Sequence, residues 1–444
     1  MSKTVSAVRS HLLQCIRNVS KLAWLFSSTP KKDFTRNRKL PFEMVIKTLL
    51  CMEGGSLTNE LMKRFGCHAN LVSASAFVQQ RSKILPEAFE TIFRLFSETT
   101  EGGPLYKGYR LIAVDGSDIQ IPTNPQDPES YFPGSSGQKP YNLLHLNAMY
   151  DLRQRTYVDA IVQKRHAYDE CRTLVHMVDR SSWKQPAIII ADRAYESYNV
   201  LAHIQEKGWY FLIRVKDFGR SSGFAAGLDL PFTDTFDRPI QLSITRKQTN
   251  EIKQLCKQRN NYRWIPANVV FDYLPSKIIR QQPALFYQIS FRIVRFQITE
   301  NTYETVVTNL PADGFPSSEL KKLYAMRWGI ETSFRELKYA LGLLHFHAKK
   351  TEHILQEIFA RLIMYNFSEL ITSHVVIQKQ NRKYAYRANF SAAVHICRQF
   401  FLGNVSPPDV EALIARHVSP IRPGRSKPRV LSTKTAVSFI YRVA

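Results

Sequence analysis

A run of five apolar residues, Ala187–Ala191, constrains the fold more than any other feature of this sequence. The run is bounded by Pro186 and Asp192 and contains no polar side chain. Such a short apolar run is expected of a strand at the centre of a sheet that is covered on both faces. It therefore predicts an α/β layer.

The segments around this run predict the rest of that layer. Hydrophobic periodicity predicts three strands, a helix, the buried strand, a helix and a last strand. These elements cover residues 109–114, 144–150, 156–162, 167–180, 187–191, 196–207 and 209–215. The first three strands can form an antiparallel meander beside parallel ones, which predicts a mixed sheet.

Changes in composition divide the chain into four regions. Residues 1–104 are predicted to be helical and end at a Gly-Gly-Pro break. Residues 217–306 alternate as strands do, including a predicted strand over 264–271, so they predict a mostly β insertion. Two long helices, 317–342 and 352–376, are predicted after the insertion. The remaining regions are therefore an α/β domain of residues 105–216 and 307–376, and a helical, basic C-terminal region, 377–444.

The charge of the chain predicts a polyanionic partner. It has 61 Lys and Arg against 37 Asp and Glu, for a net charge of +24. Such an excess favours nucleic acid first and an anionic membrane surface second. The six cysteines form no C-x-x-C pair, which indicates reduced thiols and a cytoplasmic protein. No apolar run approaches the ~18–20 residues needed to span a bilayer, so no membrane segment is predicted.

Two aspartates stand where a ligand would be expected. Asp115 follows the first predicted strand and Asp192 follows the buried one. Ligands of open α/β sheets lie at the carboxyl ends of the strands. A polar strand cap is the alternative for either aspartate alone. Two such carboxylates on adjacent strands can share one hard divalent cation, since Mg²⁺ prefers oxygen ligands.

A third carboxylate lies on the helix predicted over 317–342. Tyr324, Arg327, Glu331 and Lys338 have offsets of 0, 3, 7 and 14 residues, which place them on one helical face. That face combines a hydroxyl, a guanidinium, a carboxylate and an ammonium group. The alternative is an ordinary row of salt bridges on a solvated helix.

The segment Tyr324–Lys338 matches the signature Y-x2-R-x3-E-x6-K. Through it the chain resembles the DDE transposases of bacterial insertion sequences. Asp115-Gly116-Ser117 is similar to the first Asp motif of that family, and Asp192-Arg193-Ala194-Tyr195 to the second, in which Gly is more usual at the position of Ala194. The resemblance covers roughly residues 105–375 and implies an RNase H-like catalytic domain with a β insertion before the Glu.

The resemblance also implies roles for the site residues. Asp115, Asp192 and Glu331 would be catalytic and would hold two Mg²⁺ ions, with Mn²⁺ as a possible substitute. Two metals about 3.5–4 Å apart suit an in-line displacement at phosphorus. The DNA-binding residues would be Tyr324, Arg327, Trp328 and Lys338. Arg327 and Lys338 would grip phosphates, Tyr324 would bind a phosphate oxygen, and Trp328 would either stack on an extruded base or pack in the core.

The function implied is cut-and-paste transposition of an insertion sequence. The protein would bind terminal inverted repeats and target DNA, act as a homodimer on DNA, and work at the bacterial nucleoid. The helical N-terminal region would bind DNA. No phosphate loop of the G-x-x-x-x-G-K-S/T type is present, so no nucleotide cofactor is expected. The alternatives are a stand-alone metal-dependent nuclease and a catalytically silent DNA-binding protein. The intact set of three carboxylates argues against the silent protein.

Overall fold

The computed structural model describes residues 4–36, 39–98, 103–135, 137, 139–217, 223–277, 283–377 and 384–421. The predicted basic tail beyond residue 421 lies outside the described residues. The helices are α1 (Val5–Lys21), α2 (Phe42–Cys51), α3 (Leu57–Phe65), α4 (Ala74–Arg81), α5 (Glu87–Glu98), α6 (Glu170–Arg180), α7 (Tyr198–Glu206), α8 (Asn250–Leu255), α9 (Ser317–Met326), α10 (Trp328–Tyr339), α11 (Thr351–Thr372), α12 (Phe390–Leu402) and α13 (Asp409–Arg416). The strands are β1 (Arg110–Ile121), β2 (Tyr131–Phe132), β3 (Tyr141–Asp151), β4 (Thr156–Lys164), β5 (Ala187–Ala191), β6 (Tyr210–Val215), β7 (Phe236–Thr245), β8 (Tyr262–Trp264), β9 (Tyr287–Thr299), β10 (Thr302–Thr308), β11 (Ala385–Ala388) and β12 (Val418–Ile421).

A single mixed sheet of ten strands organises the fold. In its first half, β4, β3 and β1 are antiparallel neighbours, and β5 and β6 continue from β1 in parallel. This is the RNase H-like arrangement, and the predicted fold class is confirmed. All five residues of β5 are buried, as its apolar sequence predicts for a central strand.

The β insertion extends the same sheet instead of forming a layer of its own. From β6 the order continues through β10, β9 and β7 to β8 at the edge. The strand predicted over 264–271 is wrong, because β8 ends at Trp264. Beyond it, the guanidinium of Arg246 binds the carbonyl oxygens of Pro266, Val269 and Phe271. These carbonyls bond to a side chain instead of a neighbouring strand, and Pro266 has no N–H to donate.

The helix α11 is the centre of a second layer, in which the N-terminal helices and α12 pack against it. It is buried along nearly its whole length. Buried residues of α1, α2, α5, α10 and α12 share one apolar core with α11. The N-terminal helices therefore pack directly on the predicted α/β domain.

The helix predicted over 317–342 is interrupted at Arg327, and the prediction of one continuous helix is wrong. The Arg327 N–H donates to the carbonyl of Tyr324 at 3.0 Å, and the Ile330 N–H donates to the carbonyl of Arg327 at 3.1 Å. These are i to i−3 bonds in place of the i to i−4 bonds of an α-helix. The tightened turn separates α9 from α10.

No helix in the described ranges is both long and apolar enough to cross a bilayer.

Candidate active site

The register of two parallel strands brings Asp115 and Asp192 side by side. Ala113 of β1 is paired with Ile190 of β5, and each aspartate lies two residues beyond its member of that pair. Adjacent strands are about 4.8 Å apart. The sequence predicted that Asp115 follows the end of its strand, and this prediction is wrong. Asp115 lies in the middle of β1, because β1 continues to Ile121 by pairing with β3 after β5 has ended.

Both aspartates lie on the sheet face that α9 covers. Side chains alternate between the two faces of a strand, so Asp115 shares a face with Leu111, and Asp192 shares one with Ile188 and Ile190. Those three residues belong to the same buried cluster as Leu323 of α9. Helix α9, which carries Tyr324 of the signature, therefore packs on the side where the two carboxylates lie.

Local backbone bonds fix both carboxylates. The Asp115 Oδ1 accepts the N–H of Gly116 at 2.9 Å. The Asp192 Oδ1 accepts the N–H of Ala194 at 2.8 Å and thereby caps a short 3-10 helix, Arg193–Tyr195. This bond needs no glycine, so Ala194 is compatible with the motif.

Arg327 links the sheet carboxylates to the helix carboxylate. Its Nη2 lies 2.8 Å from Glu331 Oε1, and its Nη1 lies 3.5 Å from Asp115 Oδ2. Glu331 is in the first turn of α10, one turn after Arg327. The guanidinium is buried, so it contributes a desolvated positive charge between the two acids.

The charge balance at Asp115 suits a cation. Burial raises the pKa of Asp115 to about 6, Arg327 and the Gly116 N–H oppose that rise, and Asp192 and Glu331 add to it. The negative charge of the site is therefore only partly compensated. Three carboxylates are an all-oxygen donor set of the kind hard divalent cations prefer. Within the described ranges, no group of three His, Cys, Asp or Glu side chains is close enough together to hold a metal ion. The guanidinium of Arg327 supplies positive charge between two of the acids.

The other signature residues differ in exposure. Tyr324 is buried, burial raises its pKa to about 12, and its hydroxyl has no hydrogen-bond partner in the described part of the chain. Trp328 is 54 % exposed, with the Arg327 guanidinium carbon 5.3 Å from its ring centre. The core-packing alternative for Trp328 is therefore wrong. Lys338 is on α10, seven residues after Glu331, and so about 10 Å further along the same face.

A histidine cluster on the opposite face of β1 was not predicted. His145 Nδ1 lies 2.6 Å from Asp118 Oδ1, and its Nε2 lies 3.0 Å from Glu170 Oε1. Burial lowers the pKa of His145, but the bonds to both carboxylates outweigh it and leave that pKa raised. A Cβ at Gly116 would clash with His145 Nε2, so the motif glycine makes room for this cluster. No sequence spacing connects residues so far apart.

Two other carboxylates close in sequence to the site residues face elsewhere. Asp118 bonds His145 on the far side of β1. Glu336 accepts the hydroxyl proton of Tyr365 at 3.1 Å and lies 4.0 Å from Arg155. Neither replaces a member of the predicted set.

A family model described as a transposase DDE domain matches residues 106–367. The match covers more than half of the chain, and the chain belongs to this family. It is accordingly an enzyme of DNA transposition, with DNA as its partner and a divalent metal as its cofactor.

Individual relatives are distant. The chain is 21 % identical to the transposase InsG for insertion sequence element IS4 of Escherichia coli (strain K12), over 74 % of this chain and 70 % of that protein. It is 23 % identical to the putative transposase InsZ of the same organism, over 39 % of this chain and 60 % of that protein. A solved structure, the piggyBac transposase synaptic complex with hairpin DNA, aligns over 95 % of this chain and 84 % of that chain, with 11 % identity and a TM-score of 0.40.

Proposed function

We propose that this transposase moves its insertion sequence by a cut-and-paste reaction. It binds terminal inverted repeats, cuts the DNA at the ends of the element, and joins those ends to target DNA. Asp115, Asp192 and Glu331 are the catalytic residues. The observation that carries the proposal is that the acids are near one another two at a time: the β1–β5 register places Asp115 beside Asp192, and Arg327 contacts both Asp115 and Glu331.

The three carboxylates hold two Mg²⁺ ions in this proposal, and Mn²⁺ can replace them. Two such ions supply activation of the attacking oxygen and stabilisation of the leaving one. The carboxylates are suited to this role because Asp115 and Asp192 are fixed by backbone N–H groups. Glu331 is held on a helix whose apolar side is buried. No nucleotide cofactor is needed for either step.

The signature residues bind the DNA around the scissile bond. The fork of Arg327 can donate to two oxygens of one phosphate, and Lys338 contacts a second phosphate along the same face. The buried hydroxyl of Tyr324 donates to no acceptor in the described part of the chain, and a phosphate oxygen would accept this hydrogen bond. Exposed Trp328 offers a ring face to an unstacked base.

The proposed division of labour follows the four regions of the chain. Residues 1–104 bind DNA, and residues 105–216 with 307–376 form the catalytic domain. Residues 217–306 are the insertion, and residues 377–444 are a basic region that contacts phosphates. Two copies act together on DNA, since the two ends of one element must be processed in the same reaction.

The test compares Glu331→Gln with Glu352→Gln, a matched change at an exposed position of α11. The substrate is a duplex with the inverted repeat that flanks the coding region, in Mg²⁺. Cutting should fall by at least about a hundredfold in Glu331→Gln, because the site loses one metal-binding charge. DNA binding should be unchanged, and Glu352→Gln should cut normally. Cutting by Glu331→Gln at the wild-type rate contradicts the assignment.

A second measurement separates a transposase from a nuclease. A supercoiled plasmid is added as target, and the products are sequenced for element ends joined to plasmid DNA. Joined products with a short target duplication support the proposal. Cut ends that are never joined, under conditions where cutting is complete, favour a stand-alone nuclease.

A further inference from the structure

A groove of about 590 Å³ runs beside α10 and is not part of the carboxylate site. Its walls come from the turn between β3 and β4, the end of α11, the β11–β12 pair and the start of α12. Four arginines line it, and we call it the arginine groove: Arg153, Arg155, Arg335 and Arg387.

The positive charge lies at the mouth of the groove and the negative charge inside it. Arg153, Arg335 and Arg387 are exposed, and none of them forms an ion pair with a carboxylate of the described ranges. The two acids, Glu336 and Glu369, are largely buried.

Arg155 neutralises much of that inner charge, because its Nη2 lies 3.0 Å from Glu369 Oε1. Burial also raises the pKa of Glu369 to about 7, so this acid carries less than a full charge at neutral pH. An approaching ligand therefore meets an excess of guanidinium groups, which favours an anion with several acceptor oxygens.

The arginine groove lies beside the catalytic helix face, further along the axis of α10. Glu331, Arg335 and Tyr339 follow one another at intervals of four residues on α10, so they rise by about 6 Å and turn by about 40° per step. Tyr339 lies about 12 Å from Glu331 along the helix axis. In a DNA strand that rises 3.4 Å per nucleotide, this span corresponds to about three or four nucleotides.

An aromatic ring also lines the arginine groove. Tyr339 lines the groove and is 74 % exposed. Guanidinium groups combined with an exposed ring are the elements that proteins use to track a nucleic-acid backbone and stack on its bases. An acidic protein segment would not call for the ring or for the alignment with Glu331.

We propose that the arginine groove binds the DNA strand that continues from the bond cut at Glu331, through phosphate contacts of Arg153, Arg335 and Arg387 and a stacking contact of Tyr339. This inference rests on the proposed function, because it takes the position of the scissile bond from Glu331. The groove holds the strand three to four nucleotides away from that bond.

The first test measures how binding depends on salt. The full chain is titrated with the end duplex in metal-free buffer, as wild type, as Arg335→Ala/Arg387→Ala, and as Arg335→Lys/Arg387→Lys. The slope of log K against log salt should fall by about 2 in the alanine variant, because two phosphate contacts are lost. The lysine variant should retain most of the slope. Arg259→Ala, a change of an exposed arginine in the insertion, is the matched control and should keep the wild-type slope.

The second test locates the DNA strand. A photo-cross-linking phenylalanine analogue replaces Tyr339 in the full chain, and cross-links are mapped on both strands of the end duplex. Cross-links within about four nucleotides of the cut bond support the inference. Cross-links confined to distant nucleotides or to protein overturn it, as does an unchanged salt slope in the alanine variant with a wild-type thermal unfolding midpoint.

The two proposals fail in different ways. If the alanine variant shows the expected slope change but the wild-type chain never cuts DNA, the catalytic proposal fails, and only the phosphate contacts of the groove stand. If the alanine variant binds like the wild type while the wild type cuts normally, the groove fails and the catalytic proposal stands.

Discussion

Two clusters in this protein combine carboxylates with arginine, and they differ in how completely the charges are matched. In the core, Glu357 of α11 lies 3.0 Å from Arg81 and 3.4 Å from Arg361, and it also contacts His347. In the site, Arg327 contacts two of the three acids, Asp115 and Glu331. Arg81, His347 and Arg361 hold the pKa of Glu357 far below its usual range despite full burial, whereas the pKa of Asp115 is raised. The negative charge of Glu357 is balanced by its own neighbours, whereas the carboxylates of the site can accept further positive charge.

The largest effect is expected in the core cluster. Glu357→Gln leaves Arg81 and Arg361 buried without their shared negative charge, and this should lower the free energy of unfolding by about 3–5 kcal/mol. Urea denaturation of the variant beside wild type measures the loss. Glu352→Gln, at an exposed position of the same helix, should change that free energy by less than about 0.5 kcal/mol. A small effect at Glu357 would mean that the two clusters do not differ as described.

A pH series tests a third acid, Glu369, whose pKa is raised to about 7 by burial. Because the folded form holds this proton more tightly than the unfolded form, stability should fall as pH rises from about 4.5 to 7. The contribution is roughly 3 kcal/mol. Glu369→Gln should remove this part of the pH dependence, measured as unfolding midpoints between pH 4.5 and 8. If the unfolding midpoint of Glu369→Gln falls with pH as steeply as that of wild type, the assignment is contradicted.

Loss of a site carboxylate should have the opposite sign from loss of Glu357. Asp115→Asn removes a poorly compensated charge, and in metal-free buffer it should raise the free energy of unfolding by about 1 kcal/mol, with solvent screening taken into account. The same variant should be inactive in cutting. Thermal unfolding and the duplex-cutting assay measure the two properties on one preparation. Destabilisation comparable with that of Glu357→Gln would remove the distinction between the clusters.

The smallest effect is expected at Tyr324. Its buried hydroxyl lacks a partner in the described part of the chain, so Tyr324→Phe should stabilise the free protein by about 0.5 kcal/mol or leave it unchanged. Affinity for end DNA should fall, because the proposed phosphate contact is lost. Differential scanning calorimetry and DNA titration check the two effects. A clear loss of stability would show that the hydroxyl has a structural bond instead.

Much of the fold was predictable because its signals are local. The apolar sequence of β5 predicted a buried strand, and the spacing of the signature residues predicted a shared helical face. The full length of β1 was not predictable, because the residues beyond Asp115 are held by pairing with β3. The turn at Arg327 and the loop after Trp264 likewise depend on bonds that no periodicity shows.

The sequence motifs identified the candidate site residues but not the contacts between them. The motifs identified Asp115, Asp192 and Glu331, and these assignments remain predictions until variants are measured. Arg327 was expected to grip phosphate. Its contact to Glu331 is a local i,i+4 pair, whereas its contact to Asp115 comes from the packing of α10 on β1. The cluster of His145 with Asp118 and Glu170 unites residues from two strands and a helix, so only the folded chain brings it together.

The burial of α11 has a consequence for the order in which the molecule can form. The helices α1, α2 and α5 complete their core against a helix that follows α5 by about 250 residues in the chain. At about 5–20 residues per second, a ribosome needs roughly 10 to 50 seconds to supply it. During that interval the emerging amino-terminal segment exposes apolar surface and waits for its partner. A nascent transposase would thus acquire a finished amino-terminal helical region only when most of its α/β domain already exists.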